Sequence, residues 1–202
     1  VAQATAADSG MISSEPFMIF VTNAEGKAIY VSPDWTDLTG RSLAETADFG
    51  WLDVIHPEDR STVRRIVEDA VRTQQAFNVR YRLLCKDGRR LWLAAGAVPS
   101  FGPPDRTFLG FLGSLTSLGE AVDGEAPASG GLGDFIPPLQ PGSLTPSNDL
   151  ERLADHLIAL HVLMKRVGGR QAMNILEAAL FQIGQELAKA ADRPAPAEGT
   201  RH

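Results

Sequence analysis

A stretch rich in glycine, proline and serine, GEAVDGEAPASGGLGDFIPPLQPGSLTPSN from Gly119 to Asn148, interrupts this chain. It holds no sustained period of two or of 3.6 residues, so it marks a linker between two parts that fold by different rules. Before it, short strand-like runs surround one amphipathic helix; after it, apolar residues recur only at steps of three and four, as amphipathic helices require. A flexible linker of this length spans roughly 30 Å root-mean-square. The 202 residues therefore divide into a flexible or capping segment 1–15, a mixed domain 16–118, the linker 119–148, a helical pair 149–192 and a disordered tail 193–202. One bulky knot inside the linker, Phe135-Ile136-Pro137-Pro138-Leu139, is expected to dock on a folded part, because exposing it costs hydration.

Within the mixed domain, Phe17 to Thr22 and Ala28 to Val31 read as a β-hairpin around the Gly26 turn. Short polar-apolar pieces follow from Asp34 to Leu52 and suit irregular or single-turn helices. His56-Pro57-Glu58-Asp59 opens a longer helix, with proline in the first turn and two acids at the positive end of the dipole. Val63, Ile66, Val67, Ala70 and Val71 form its single apolar stripe. Phe77 to Cys85 alternates, Lys86-Asp87-Gly88 is a hairpin turn, and Arg90 to Val98 and Thr107 to Ser117 supply two more strands. This order predicts an α+β fold, an antiparallel sheet with helices over one face.

YVSPDWTDLTG (Tyr30 to Gly40), WLDVIHPEDR (Trp51 to Arg60), the helix after it and the strand-turn-strand YRLLCKDGRRLWL resemble the PAS sensor-domain family, in particular its bacterial type with an IHPEDR-like element. The resemblance covers about Pro16 to Leu118 and rests on several motifs in one order. It implies a five-stranded antiparallel sheet that cups a pocket against small helices, in a domain that senses ligands, dimerises and passes signals to attached helices. Trp35, Leu38, Ile66, Val67, Tyr81 and Leu83 are the candidate pocket residues. The longer helix has no histidine between Ser61 and Gln75, which disfavours the haem site of the best-known PAS type. Cys85 stands at a strand end beside a turn, not in a small-helix asparagine-cysteine-arginine motif, which disfavours a covalent flavin adduct. Non-covalent flavin, a small metabolite or no cofactor remain open. His56 takes the structural place of the helix-opening His-Pro element, and Trp35, Trp51 and Trp92 suit the core.

Beyond the linker, Leu150, Leu153, Leu157, Leu160, Met164 and Val167 form one seam, and Met173, Leu176, Leu180, Ile183, Leu187 and Ala190 form another. Asn148 and Glu151 can cap the first helix, Lys165 and Arg166 close it, and Gly168-Gly169 stops it, so an antiparallel hairpin is expected. Such a hairpin leaves apolar surface to cover. The expected interface is homodimeric, through Leu150, Leu153, Leu157, Leu160, Met164, Met173, Leu176, Leu180, Ile183 and Leu187, with the chain's own domain or a signalling partner as rivals. Gly184 suits a close approach there.

No catalytic constellation stands out, and a non-enzymatic signalling module is the expected function. A helical hairpin bearing His156 and His161 resembles the phosphotransfer part of sensor histidine kinases, which supplies the alternative. Neither histidine is followed by the usual acid. The net charge of −6 argues against nucleic acid, and no apolar run is long enough to span a bilayer. With a single cysteine and no export signal at VAQATAADSG, a cytoplasmic location is expected.

Overall fold

The computed structural model describes residues 17–122, 124, 126–133, 135 and 148–191. The expected segment 1–15, the knot residues Ile136 to Leu139 and the expected tail lie outside the described residues. Strands β1 (Phe17–Thr22) and β2 (Ala28–Val31) lead to α1 (Pro33–Thr39), α2 (Leu43–Thr46) and a 3-10 turn at Gly50–Val54. The longer helix α3 (Pro57–Thr73) precedes β3 (Phe77–Leu84), β4 (Arg90–Gly102), β5 (Thr107–Glu120) and β6 (Ser129–Leu132). Helices α4 (Asp149–Val167) and α5 (Arg170–Ala191) follow.

All strand pairs are antiparallel, in the spatial order β2-β1-β5-β4-β3-β6. Among the described residues the sheet has six strands where five were expected. The extra one, β6, comes from the segment assigned to the linker and pairs Phe77 with Leu132 and Arg80 with Ser129. It supplies partners to an otherwise bare edge of β3.

Two cores share this sheet. On the inner face, Met18, Leu93, Ala97, Phe111 and Leu115 pack against Trp35, Leu52, Val63, Ile66 and Ala70 from the helices. On the outer face, Phe17, Ile19, Val21, Val98 and Leu112 meet Ala154 and Ile158 of α4 and Leu176, Leu180 and Leu187 of α5. The expectation of one covered face is thus corrected: both faces are buried, and the hairpin is packed on the sheet instead of standing apart. Because successive side chains of a strand point to opposite faces, β1 contributes to both cores along its whole length.

Three contacts fasten the hairpin. Asn148 caps α4, its Oδ1 accepting from the Glu151 amide at 2.9 Å, while the buried Glu151 carboxylate accepts from Tyr30 Oη and Ser32 Oγ, both at 2.6 Å. Arg106 Nη2 donates to both carboxylate oxygens of Glu177 on α5, at 2.7 and 2.6 Å. Phe135, inside the segment assigned as linker, is buried over Gly96 of β4, where a Cβ would stand 1.9 Å from its ring. Only glycine admits that ring. Gly184 faces the sheet in the same way, its Cβ position being 3.1 Å from Val21 Cγ1.

Candidate functional site

The His-Pro-Glu-Asp-Arg element shapes the inner chamber. His56 stands at the N-cap of α3, and its amide donates to the Arg82 carbonyl of β3 at 2.9 Å. Asp59, fully buried, accepts from Arg82 Nε at 3.0 Å, Arg82 Nη2 at 2.7 Å and the amides of Arg82 and Ala128 at 2.9 Å each. Arg60 donates to the carbonyls of Ile55 and Asp53 and so anchors the 3-10 turn. Burial alone would push the Asp59 carboxyl up, but the Arg82 side chain and the two amides together hold it below the usual range. One aspartate thus ties α3 to β3 and to the segment entering β6.

Between α3 and the sheet lies a cavity of about 60 Å³. Phe20 and Thr22 of β1, Ala28 and Val31 of β2, and Trp35 of α1 form one side of the wall. Gly26, Trp51, Val63 and Val67, with Phe77, Val79, Tyr81, Ala95, Phe111 and Leu115, form the rest. Its polar groups are nearly all engaged: Thr22 Oγ1 accepts from the Phe111 amide at 3.0 Å, and Trp35 Nε1 donates to Thr46 Oγ1 at 3.0 Å. Tyr81 also lines the cavity; its side chain is buried, and burial pushes its phenol up. A phenol on a cavity wall can meet a polar atom of a guest.

Of the candidate pocket residues, Trp35, Val67 and Tyr81 line the cavity. Ile66 and Leu83 are buried in the surrounding core, and Leu38 is half-buried against it, so these three do not line it. Phe20 and Phe111 went unread although they alternate correctly, because both faces of their strands are apolar. Trp51 is half-buried on the cavity wall, whereas Trp92 is buried on the other side of the sheet system with Arg80 stacked 4.1 Å over its ring.

The expected interface residues separate into three groups. Leu176, Leu180 and Leu187 are buried against the chain's own sheet, where no second copy reaches them without undocking. Leu150, Leu157, Met164, Met173 and Ile183 are half-buried beside them. Leu153 and Leu160 are exposed. His161 is buried and His156 is exposed, with its Nδ1 2.6 Å from the Arg152 carbonyl. Among the described residues, no group of three or more His, Cys, Asp and Glu side chains could hold a metal ion, and no helix is long and apolar enough to cross a membrane. Burial and the nearby Asp87 push the Cys85 thiol up.

An antiparallel sheet closed by α1 to α3 over an apolar chamber, with the helix-opening aspartate bound to β3, defines a sensor-type α+β domain. Residues 28–110 match the family model described as PAS fold. An uncharacterized protein of Sinorhizobium fredii, y4lL, is 34% identical over 110 residues, covering 54% of this chain and 13% of its own. This chain therefore spans about an eighth of the curated relative it matches. Among solved structures, the PAS domain of a Colwellia psychrerythraea protein is 25% identical, with TM-score 0.43 over 51% of this chain and 86% of that one. The N-terminal domain of a diguanylate cyclase with PAS/PAC sensor from Marinobacter aquaeolei is 17% identical, with TM-score 0.47 over 52% of this chain and 96% of that one.

Proposed function

We propose that this protein is a non-enzymatic bacterial signalling module in which the inner cavity takes a small, largely apolar guest and the docked hairpin α4–α5 is the output element. The observation that carries this reading is the double duty of β1. Phe20 and Thr22 form cavity wall, while Ile19 and Val21 between and beside them lie under the hairpin. A guest that displaces Phe20 moves the strand, and the tight approach of Val21 to Gly184 gives the hairpin little slack to absorb it.

The size of the chamber favours a small molecule over a flavin or a haem. One water needs about 10–15 Å³, so 60 Å³ holds a few waters or a compact organic molecule. The Tyr81 hydroxyl would meet the guest's polar atom. A cytoplasmic setting, free of nucleic acid and membrane, suits the acidic composition and the lone cysteine. Output runs through self-association or a signalling partner; phosphotransfer is the less favoured route, open only to His156 because His161 is buried.

Xenon and propan-2-ol serve as probes. Both should shift the methyl NMR signals of Val67, Val79 and Leu115, and both should change amide exchange in α4 and α5. Tyr81→Phe should weaken propan-2-ol binding while leaving xenon unaffected. Absence of any shift with either probe, or shifts that never reach the hairpin, would overturn the reading.

A further inference from the structure

Docking on the sheet uses one side of α4 and leaves another apolar stripe in solvent. Leu153, His156, Leu160, Leu163 and Val167 follow at steps of three, four, three and four, a two-heptad coiled-coil pattern. At about 100° per residue this stripe lies opposite the buried Ala154, Ile158 and Val162, the first two of which belong to the core shared with the sheet. Leu153 is 45% exposed, Leu160 43%, Leu163 55% and Val167 81%. Four large aliphatic side chains aligned on one helix face form a patch of the kind that marks an interaction surface.

We infer that this stripe is the contact between two copies of the chain, with α4 packed antiparallel to the partner subunit's α4 about a two-fold axis at Leu160. The spacing is self-complementary about that residue. Leu160 meets the partner subunit's Leu160, Leu153 meets the partner subunit's Val167, and His156 lies beside the partner subunit's Leu163. Charge distribution selects the antiparallel sense. The helix opens on Asp149, whose fully exposed side chain stands 3.9 Å from Arg152 of the same helix, and closes on Lys165 and Arg166, with Arg170 just beyond the turn. Antiparallel pairing brings Asp149 toward the basic end that holds the partner subunit's Arg170 and opposes the two helix dipoles, whereas parallel pairing gathers the two basic ends. Both copies keep their hairpins docked, since the stripe and the sheet-facing residues are on opposite sides of one helix.

This inference extends the reading of the hairpin as output by naming its partner, yet its test involves no guest, so either can fail alone. Sedimentation equilibrium of the full chain up to about 100 µM should show a weak dimer, as suits a contact limited to one helix per copy. Leu160→Glu, an exposed substitution, should give a monomer with unchanged helix content. In a Cys85→Ala background, Leu160→Cys should form an intermolecular disulfide on mild oxidation. Leu153→Cys should not, because its two copies lie about 21 Å apart, beyond the roughly 7 Å limit for the bond. A monomeric wild-type chain, a dimer that survives Leu160→Glu, or equal cross-linking of Leu153→Cys and Leu160→Cys would each overturn the inference.

Discussion

Replacing Asp59 by alanine tests whether the helix-opening motif works as a buried electrostatic tie. The substitution removes three hydrogen bonds from Arg82 and one from the Ala128 amide, all between 2.7 and 3.0 Å. Arg82 is 5% exposed and keeps Glu58, whose Oε2 is 3.0 Å away on a side chain open to solvent, and the Trp92 ring, 5.7 Å from its guanidinium carbon. Stranding a buried charge costs about 3–5 kcal/mol, and the retained Glu58 contact puts the expected loss near the lower end, about 3 kcal/mol. That is a substantial part of the about 5–15 kcal/mol that holds a domain together. Urea denaturation followed by far-UV circular dichroism reads it directly. Asp59→Leu combined with Arg82→Met, which removes both charges, should recover most of the loss, because the penalty belongs to the unpaired guanidinium. The pH dependence gives an independent check. The Asp59 carboxyl is held low in the folded protein, so its contribution is present above the unfolded carboxylate range near about 4 and is lost as pH falls through the folded value. The wild type should therefore lose stability more steeply in acid than Asp59→Ala. A loss below about 1 kcal/mol, or parallel acid limbs for the two proteins, would refute the reasoning.

Phe135→Ala should destabilise by about 3–5 kcal/mol, measured by thermal melting, and Gly96→Val should mimic it by evicting the ring. Glu151→Gln weakens the charged acceptor shared by Tyr30 and Ser32 and should cost about 1.5–3 kcal/mol, with amide exchange accelerating in α4 before it does in β4. Asp155 has a buried Oδ1 without a partner among the described residues, and burial pushes its carboxyl up. Its folded value lies above the unfolded one, so the fold loses stability as pH rises through that range. Asp155→Asn should flatten this loss in urea titrations at pH 4 and pH 7.

The helix α3, its start at His56-Pro57, the Lys86-Asp87-Gly88 turn and the hairpin α4–α5 were legible because each carries a local signal. Burial on both sides of the sheet was legible only in part. FMIFVT is apolar at nearly every position, which is how a strand covered on both faces reads. Helix α4 shows a deeper limit. Leu150, Leu153, Leu157, Ile158, Leu160, Val162, Leu163, Met164 and Val167 fill two stripes, and periodicity alone cannot say which turns inward. The sheet chose the side with Ala154, small enough to bring the helix close. Strand β6, Ser-Gly-Gly-Leu, has almost no strand propensity of its own; the free edge of β3 and the Asp59 bond to Ala128 hold it. In the cavity, the wall residues that were missed belong to strands distant in sequence, so no local pattern joins them.

The central place of β1 has a consequence for how the chain acquires its structure. Its hairpin with β2 is local and can form early, but its other neighbour is β5, where Phe17 pairs with Thr116. At about 5–20 residues per second, synthesis delivers that partner about 5–20 s after β1. The outer side of β1 waits longer still, until Leu187 near the end of α5 has been made. Throughout that interval the nascent chain carries an uncovered apolar ribbon at residues 17–22. Non-local pairing of this kind slows folding and lengthens exposure to aggregation, so a ribosome-bound intermediate stalled before α5 is the species in which chaperone binding should concentrate on residues 17–22.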